Sequence, residues 1–135
     1  MRLRVFVSAQ WIVVSRVAAS GASELVEYLD GLRGETASDR SRVLRRLLVL
    51  AQRGSISNVQ QCRLVEGSHR IYELKGDYVR VFFFLDEEQI VVCSHATLKP
   101  KKGRVLSEAK KAERFREEML LARKRGQLVI EEEDP

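Results

Sequence analysis

The chain of 135 residues contains few of the residues that build specialised scaffolds: two cysteines, two prolines and eight glycines. So little glycine and proline excludes collagen-like and proline-rich linker architectures. The two cysteines, Cys62 and Cys93, form no CxxC pair and have no cysteine–histidine spacing that suits zinc. We therefore expect no metal and no other cofactor, and we interpret both thiols as small buried side chains of a protein in a reducing compartment.

Long apolar segments are also missing, because no hydrophobic run is long enough to cross a bilayer. Residues 1–20 resemble a secretory signal loosely, but Ser8, Gln10 and Arg16 interrupt their apolar part. We therefore expect a cytoplasmic protein without membrane contact. The length suits one domain, which we assign to residues 1–125, and we expect residues 126–135 to form a flexible acidic tail.

The charge is unevenly distributed along the chain. The 24 lysines and arginines exceed the 19 aspartates and glutamates, which gives a net charge of +5. Four of the acidic residues lie together near the C-terminus, at 131–134, so the remainder of the chain is more basic than the total suggests. Such a body is typical of proteins that bind a polyanion, most often nucleic acid, although a solvated basic surface without a partner has the same composition.

Hydrophobic periodicity predicts the order β, α, α, β, β, β, β, α. Residues 3–18 predict one bent strand or two short ones, Ser23 is a candidate N-cap for a first helix, and a second helix covers residues 39–53 before Gly54. Four strands and a helix follow, at residues 62–65, 70–75, 78–85, 89–95 and 104–125. This order predicts the α+β class: an antiparallel β-meander with an N-terminal helical hairpin and a C-terminal helix, all packed on one face of the sheet.

The turn at residues 76–77 predicts the pairing of the two central strands. A two-residue turn that begins with glycine places Lys75 opposite Tyr78 and therefore Glu73 opposite Arg80. Because side chains alternate along a strand, these charged residues share a face, which we expect to be exposed to solvent. The alternate, apolar face would pack against the helices.

A second turn at residues 87–88 would place Arg80 opposite His95. Glu73, Arg80 and His95 would then form a row about 10 Å wide across three strands. A carboxylate, a guanidinium and an imidazole at this spacing could surround one phosphodiester. The alternatives are a cross-strand ion pair and a structural histidine with no role in catalysis.

A basic loop follows His95 directly. Its cations are Lys99, Lys101, Lys102 and Arg104. They could reach the same face and contact phosphate groups, or they could be solvated without a partner.

Short motifs in this half of the chain resemble the RelE/ParE toxin superfamily, in particular its HigB-like branch of phage-derived relatives. The motifs are Leu64-Val-Glu-Gly67, Arg70-Ile-Tyr-Glu-Leu-Lys75, Tyr78-Val-Arg-Val-Phe-Phe-Phe84 and the lysine-rich loop before a final helix. The resemblance covers about residues 23–122. The sequence departs from the family pattern after His95, where an aromatic residue is missing and Pro100 is inserted.

The resemblance implies a RelE-like fold and the toxin of a type II toxin–antitoxin system. Such a toxin is a metal-free endoribonuclease that cleaves mRNA on the ribosome and is inhibited by a helix-turn-helix antitoxin similar to HigA. Glu73 would be the general base, Arg80 and Lys75 would hold the phosphate, and His95 would be the acid. Lys101 or Lys102 could replace His95 in that role, and the four cations of the loop, Lys99, Lys101, Lys102 and Arg104, would bind the RNA backbone.

Two alternatives remain at this point. One is a toxin similar to ParE that poisons DNA gyrase, and the other is a non-catalytic homologue that binds nucleic acid or protein.

Overall fold

A seven-stranded sheet forms the centre of the computed structural model, which describes residues 1–132. Its strands are β1 (Arg2–Ser8), β2 (Ile12–Arg16), β3 (Cys62–Leu64), β4 (Tyr72–Lys75), β5 (Val79–Asp86), β6 (Ile90–Leu98) and β7 (Val129–Glu131). They lie in the order β3-β4-β5-β6-β2-β1-β7. The pairs β2–β6 and β1–β7 are parallel and the other neighbouring pairs are antiparallel. The α+β class and the meander from β3 to β6 are therefore confirmed.

Three helices accompany the sheet: α1 (Glu24–Asp30), α2 (Asp39–Arg53) and α3 (Val105–Lys124). The predicted N-cap of α1 is confirmed, since the Ser23 side chain accepts a hydrogen bond from the Val26 N–H. Helix α2 ends at Gly54, which has a left-handed φ of 75° that glycine adopts without strain. A 3-10 helix, Gly34–Ser38, connects the two helices. None of the helices among residues 1–132 is both long enough and apolar enough to cross a membrane.

The sheet is covered on both faces, so the expectation that all helices pack on one face is wrong. Helices α1 and α2 cover a core that includes Leu47 and Phe83, whereas α3 covers a core that includes Phe82 and Met119. The physical reason lies in β5, where six consecutive residues from Val79 to Phe84 are buried. A strand that is buried on both of its faces needs a partner layer on each side.

The predicted register of the β4–β5 hairpin is wrong by two residues. The Gly76 N–H donates to the Val79 carbonyl, so the connection is longer than the two residues expected, and Lys75 lies opposite Arg80. Glu73 lies opposite Phe82. A shift of two residues preserves the side-chain alternation, so Glu73, Lys75 and Arg80 still share one face.

The predicted pairing of Arg80 with His95 is also wrong. Arg80 lies opposite Thr97, and His95 lies opposite Phe82. One position of this difference arises at the turn, where Asp86 pairs with Ile90 instead of Gln89, and the other arises at a bulge between Phe82 and Phe83. The row across the sheet is therefore Glu73, Phe82 and His95, with Arg80 in the neighbouring row. The expected row of three polar groups does not form.

The C-terminal segment differs from the flexible tail that we expected for residues 126–135. Val129–Glu131 form β7, which extends the sheet by pairing with β1. The carboxylate of Glu131 accepts hydrogen bonds from the side chains of Arg2 and Arg4. The remainder of the predicted acidic tail, residues 133–135, lies outside the described residues.

Candidate functional site

A polar cleft of about 350 Å³ lies beside the β4–β5 turn, where the loop between β6 and α3 begins. Its lining residues are Gln60, Arg63, Glu73, Lys75, Gly76, Asp77, Arg80, Lys99, Pro100 and Val105. Four of them are cations and two are carboxylates, so the cleft has an excess of positive charge. A concave surface of this kind favours an anionic ligand because the fields of the cations add within it.

Glu73 is almost completely buried in the wall of this cleft, with 2% of its surface exposed, which contradicts the expected solvent-exposed face. Its Oε1 accepts a hydrogen bond from the Nε of Arg63 at 2.9 Å, and its Oε2 lies 3.4 Å from the Nε of Arg80. A buried carboxylate requires such partners because burial removes its hydration. Glu73 thus orients two guanidinium groups at the cleft.

Arg80 is the most firmly held cation of the cleft. Its Nη1 donates to the carbonyl of Gly76 at 2.8 Å and to that of Val79 at 3.1 Å. Its Nε faces Glu73, and none of the hydrogen bonds among the described residues uses its Nη2. The Nη2 hydrogens therefore remain for water or for a ligand in the cleft.

Lys75 lies opposite Arg80 on the neighbouring strand and completes the cationic wall. Burial lowers the pKa of the Lys75 ammonium, and the charge of Arg63 lowers it further, while Glu73 opposes the shift. Lys75 therefore releases its proton more readily than an ordinary lysine does. Lys99 contributes from the loop, which is fixed to the turn because the Lys99 N–H donates to the Tyr78 carbonyl at 2.7 Å.

His95 lies apart from the cleft, which contradicts its expected position beside Arg80. Its ring stacks on Phe82 with the ring centroids 5.2 Å apart, and its Nε2 lies 2.8 Å from the Oε2 of Glu108 on α3. It lines a separate cavity of about 200 Å³ with Ser15 and Tyr28 among its neighbours. Burial lowers the pKa of the imidazole, although the hydrogen bond that Glu108 accepts opposes this shift.

The remaining cations of the predicted RNA-binding loop, Lys101, Lys102 and Arg104, are exposed beyond the rim of the cleft. None of them forms an ion pair within the part of the chain that the structure describes. The structure thus brings together Glu73, Lys75, Arg80 and Lys99, places the other loop cations next to them and excludes His95.

Arg63 is a lining residue that the sequence analysis did not select. Its position follows from the antiparallel pairing of β3 with β4, which places it directly opposite Glu73. The segment 62–65 was predicted to be a short strand, but no local turn indicated which strand would pair with it. The cationic half of the site is therefore larger than predicted.

Within residues 1–132, no group of three histidine, cysteine, aspartate or glutamate side chains is arranged to hold a metal ion. The chain matches no protein-family model, and a search of curated proteins finds no relative. The function must therefore be argued from the cleft itself.

Proposed function

We propose that the protein is an mRNA endoribonuclease of the RelE-like type, the toxin of a type II toxin–antitoxin system, and that the basic cleft binds the RNA backbone. The observation that carries this proposal is the convergence of Arg63, Lys75, Arg80 and Lys99 on one cleft in which Arg80 keeps the donors of Nη2 for a ligand. Three of the residues that carry the family resemblance, Glu73, Lys75 and Arg80, line this cleft.

The chemistry that suits this cleft is metal-free RNA cleavage. The 2′-oxygen attacks phosphorus, its proton passes to a base, and the P–O5′ bond breaks as the 5′-oxygen takes a proton from an acid; the products are a 2′,3′-cyclic phosphate and a 5′-hydroxyl. Arg80 and Lys75 stabilise the negative charge that develops on the phosphoryl oxygens. DNA lacks the 2′-oxygen and is not cleaved.

The proton transfers are assigned to the residues at the cleft. Lys75 replaces His95 as the proposed acid, because it lines the cleft and its lowered pKa favours proton release. Glu73 remains the proposed base; it becomes available when the RNA phosphate takes over the two guanidinium groups that now hold its oxygens.

The partners that we propose are mRNA, the ribosome and an antitoxin. The cleft binds mRNA that is held on the ribosome, and Lys101, Lys102 and Arg104 make further contacts to the RNA phosphates. A helix-turn-helix antitoxin inhibits the toxin by covering the cleft or by preventing ribosome entry, and toxin and antitoxin both reside in the cytoplasm.

Induced expression with mapping of the 5′ ends of translated mRNA tests the proposal. The wild-type chain should arrest growth and cleave mRNA, and Arg80→Ala should abolish the cleavage while the variant stays folded. Arg53→Ala is the matched control, because Arg53 is an exposed arginine at the end of α2, away from the cleft. Undiminished cleavage by Arg80→Ala would remove the site assignment.

A second candidate, a protein that binds RNA without cleaving it, is favoured by one observation. Both carboxylate oxygens of Glu73 are engaged with arginines, and the imidazole of His95 lies outside the cleft and contacts Glu108. In the same assay this candidate predicts that the mRNA stays intact, while RNA binding, measured separately with the purified chain, still depends on Arg80.

A further inference from the structure

Asp39, the first residue of α2, is a buried carboxylate that binds the β4–β5 turn. Its Oδ1 accepts the N–H of Asp77 at 2.9 Å, and its Oδ2 accepts those of Tyr78 at 2.6 Å and Val79 at 2.8 Å. Arg42 donates a fourth hydrogen bond, to Oδ1, at 2.8 Å. Three consecutive backbone amides thus end on one carboxylate, which fixes the turn to the start of α2.

The turn that Asp39 holds is the segment that orients Arg80. The carbonyls of Gly76 and Val79, at the two ends of the turn, accept the hydrogen bonds of the Arg80 Nη1. Asp39 itself does not line the cleft, whereas Gly76 and Asp77 do. A continuous set of hydrogen bonds therefore runs from Asp39 through the turn to the guanidinium group at the cleft.

Gly76 permits this arrangement because it leaves room for the carboxylate. A Cβ atom at this position would lie 2.6 Å from the Oδ2 of Asp39, which is closer than real side-chain contacts allow. The backbone of Gly76 does not have a left-handed φ, so the requirement for glycine comes from this close approach and not from backbone strain.

We propose that Asp39 is a positioning residue for the anion site: by holding the 76–79 turn, it directs Arg80 so that Nη2 faces the cleft. The inference rests on the proposed function, since it presumes that Arg80 contacts an RNA phosphate. It predicts that Asp39→Asn, which changes no residue of the cleft, removes one phosphate contact.

The test is RNA affinity as a function of salt, measured with the full chain and a labelled 2′-O-methyl oligouridine that cannot be cleaved. In Asp39→Asn an amide NH₂ replaces one carboxylate oxygen. This NH₂ group cannot accept the hydrogen bonds of the backbone N–H groups that it faces, so the contact with the turn is weakened. We expect affinity to fall about tenfold and the slope of log K against log salt to decrease by about 0.7, the value for one lost phosphate contact on a single strand. Destabilisation alone lowers the active fraction without changing this slope.

Glu113→Gln is the matched control. Glu113 is another buried helical carboxylate that holds a loop, since it accepts the backbone N–H of His69 at 3.0 Å, but it does not line the cleft or contact the turn. This variant should be destabilised and should keep the wild-type salt slope. Gly76→Ala disrupts the same contact through the turn, because the added Cβ would collide with the Asp39 carboxylate. It should lower the affinity and the salt slope as Asp39→Asn does, and it provides the test if Asp39→Asn does not fold.

The outcomes separate the inference from the proposed function. If Arg80→Ala loses affinity while folded Asp39→Asn and Gly76→Ala keep the wild-type affinity and slope, the positioning role is refuted and the cleft assignment stands. If Arg80→Ala itself binds as the wild type does, the proposed site and the positioning role both fail.

Discussion

Glu73 and Arg80 form a diagonal ion pair across β4 and β5. The residue directly opposite Glu73 is Phe82, and the Nε of Arg80 reaches the Oε2 of Glu73 at 3.4 Å from the next position on the same face. The Phe82 ring, which is fully buried, therefore separates the carboxylate from His95 on β6. Glu73 is therefore grouped with the arginines of the cleft, whereas the imidazole of His95 contacts Glu108.

Removal of the Glu73 carboxylate should destabilise the protein strongly. Glu73→Ala leaves the almost fully buried Arg80 without its counter-charge, and we expect a loss of about 3 kcal/mol in the free energy of unfolding. Urea denaturation followed by circular dichroism measures it. Glu66→Ala, at an exposed glutamate, is the control and should change stability by no more than about 0.5 kcal/mol. Equal stability of the two variants would contradict the structural role of Glu73.

Arg80→Lys should not rescue RNA binding. A lysine retains the charge but cannot donate to the Gly76 and Val79 carbonyls and to a phosphate at the same time, because it lacks the planar fork of guanidinium donors. We expect a loss of about 2 kcal/mol in binding free energy, the worth of a hydrogen bond to a charged group. Fluorescence anisotropy with an uncleavable oligonucleotide measures it, and wild-type affinity in Arg80→Lys would show that charge alone suffices.

The contribution of Asp39 to stability should disappear in acid. Burial would raise the pKa of this carboxyl, but the N–H groups of Tyr78, Asp77 and Val79, together with Arg42, outweigh burial and lower it. A folded-state pKa below the unfolded value means that the stabilisation is fully present above the unfolded pKa, about 3.9, and is lost as the pH falls through the lower folded value.

The measurement that checks this prediction is urea denaturation of the wild type and Asp39→Asn at neutral pH and at successively lower pH. The wild type should be the more stable at neutral pH, and the difference should shrink below about pH 4. A difference that stays constant down to pH 2 would show that the ionised carboxylate is not what holds the turn.

Cleavage should not depend on His95. His95→Gln removes an imidazole whose Nε2 is engaged with Glu108 and which lies outside the cleft, so mRNA cleavage should persist within about threefold of wild type. Lys75→Met removes the proposed acid and should lower cleavage by about a hundredfold or more. Measurement of both variants in one translated-mRNA assay decides between the two acids, and the reverse order of effects would restore His95 to that role.

The sequence predicted features that depend on neighbouring residues. The bounds of α2 were predicted correctly, and both the Ser23 cap and the strand order of the meander are confirmed, because caps and hydrophobic periodicity act within a few residues. The shared face of Glu73, Lys75 and Arg80 was likewise predicted from strand alternation. The cationic wall of the cleft could therefore be anticipated.

The features that the sequence could not predict depend on contacts between residues far apart in the chain. The β4–β5 connection is longer than a two-residue turn because Asp39, far away in the chain, binds its amide groups. His95 lies opposite Phe82 instead of Arg80 because the β5–β6 turn is one residue longer than predicted and the bulge in β6 adds one more residue. The parallel pairing of β2 with β6 leaves no local signal either, because no turn joins the two strands.

The pairing of β1 with β7 has a consequence for the order in which the chain matures during translation. β1 is synthesised before the other strands of this sheet, but its outer edge stays open until β7 has been synthesised, because Arg4 pairs with Glu131, which lies 127 residues later in the chain. Contacts between such distant segments form slowly, and an open strand edge can recruit a strand from another chain. A strand of another copy of the chain can therefore compete with β7 for this edge, and we expect misassembly to increase with the concentration of unfinished chains.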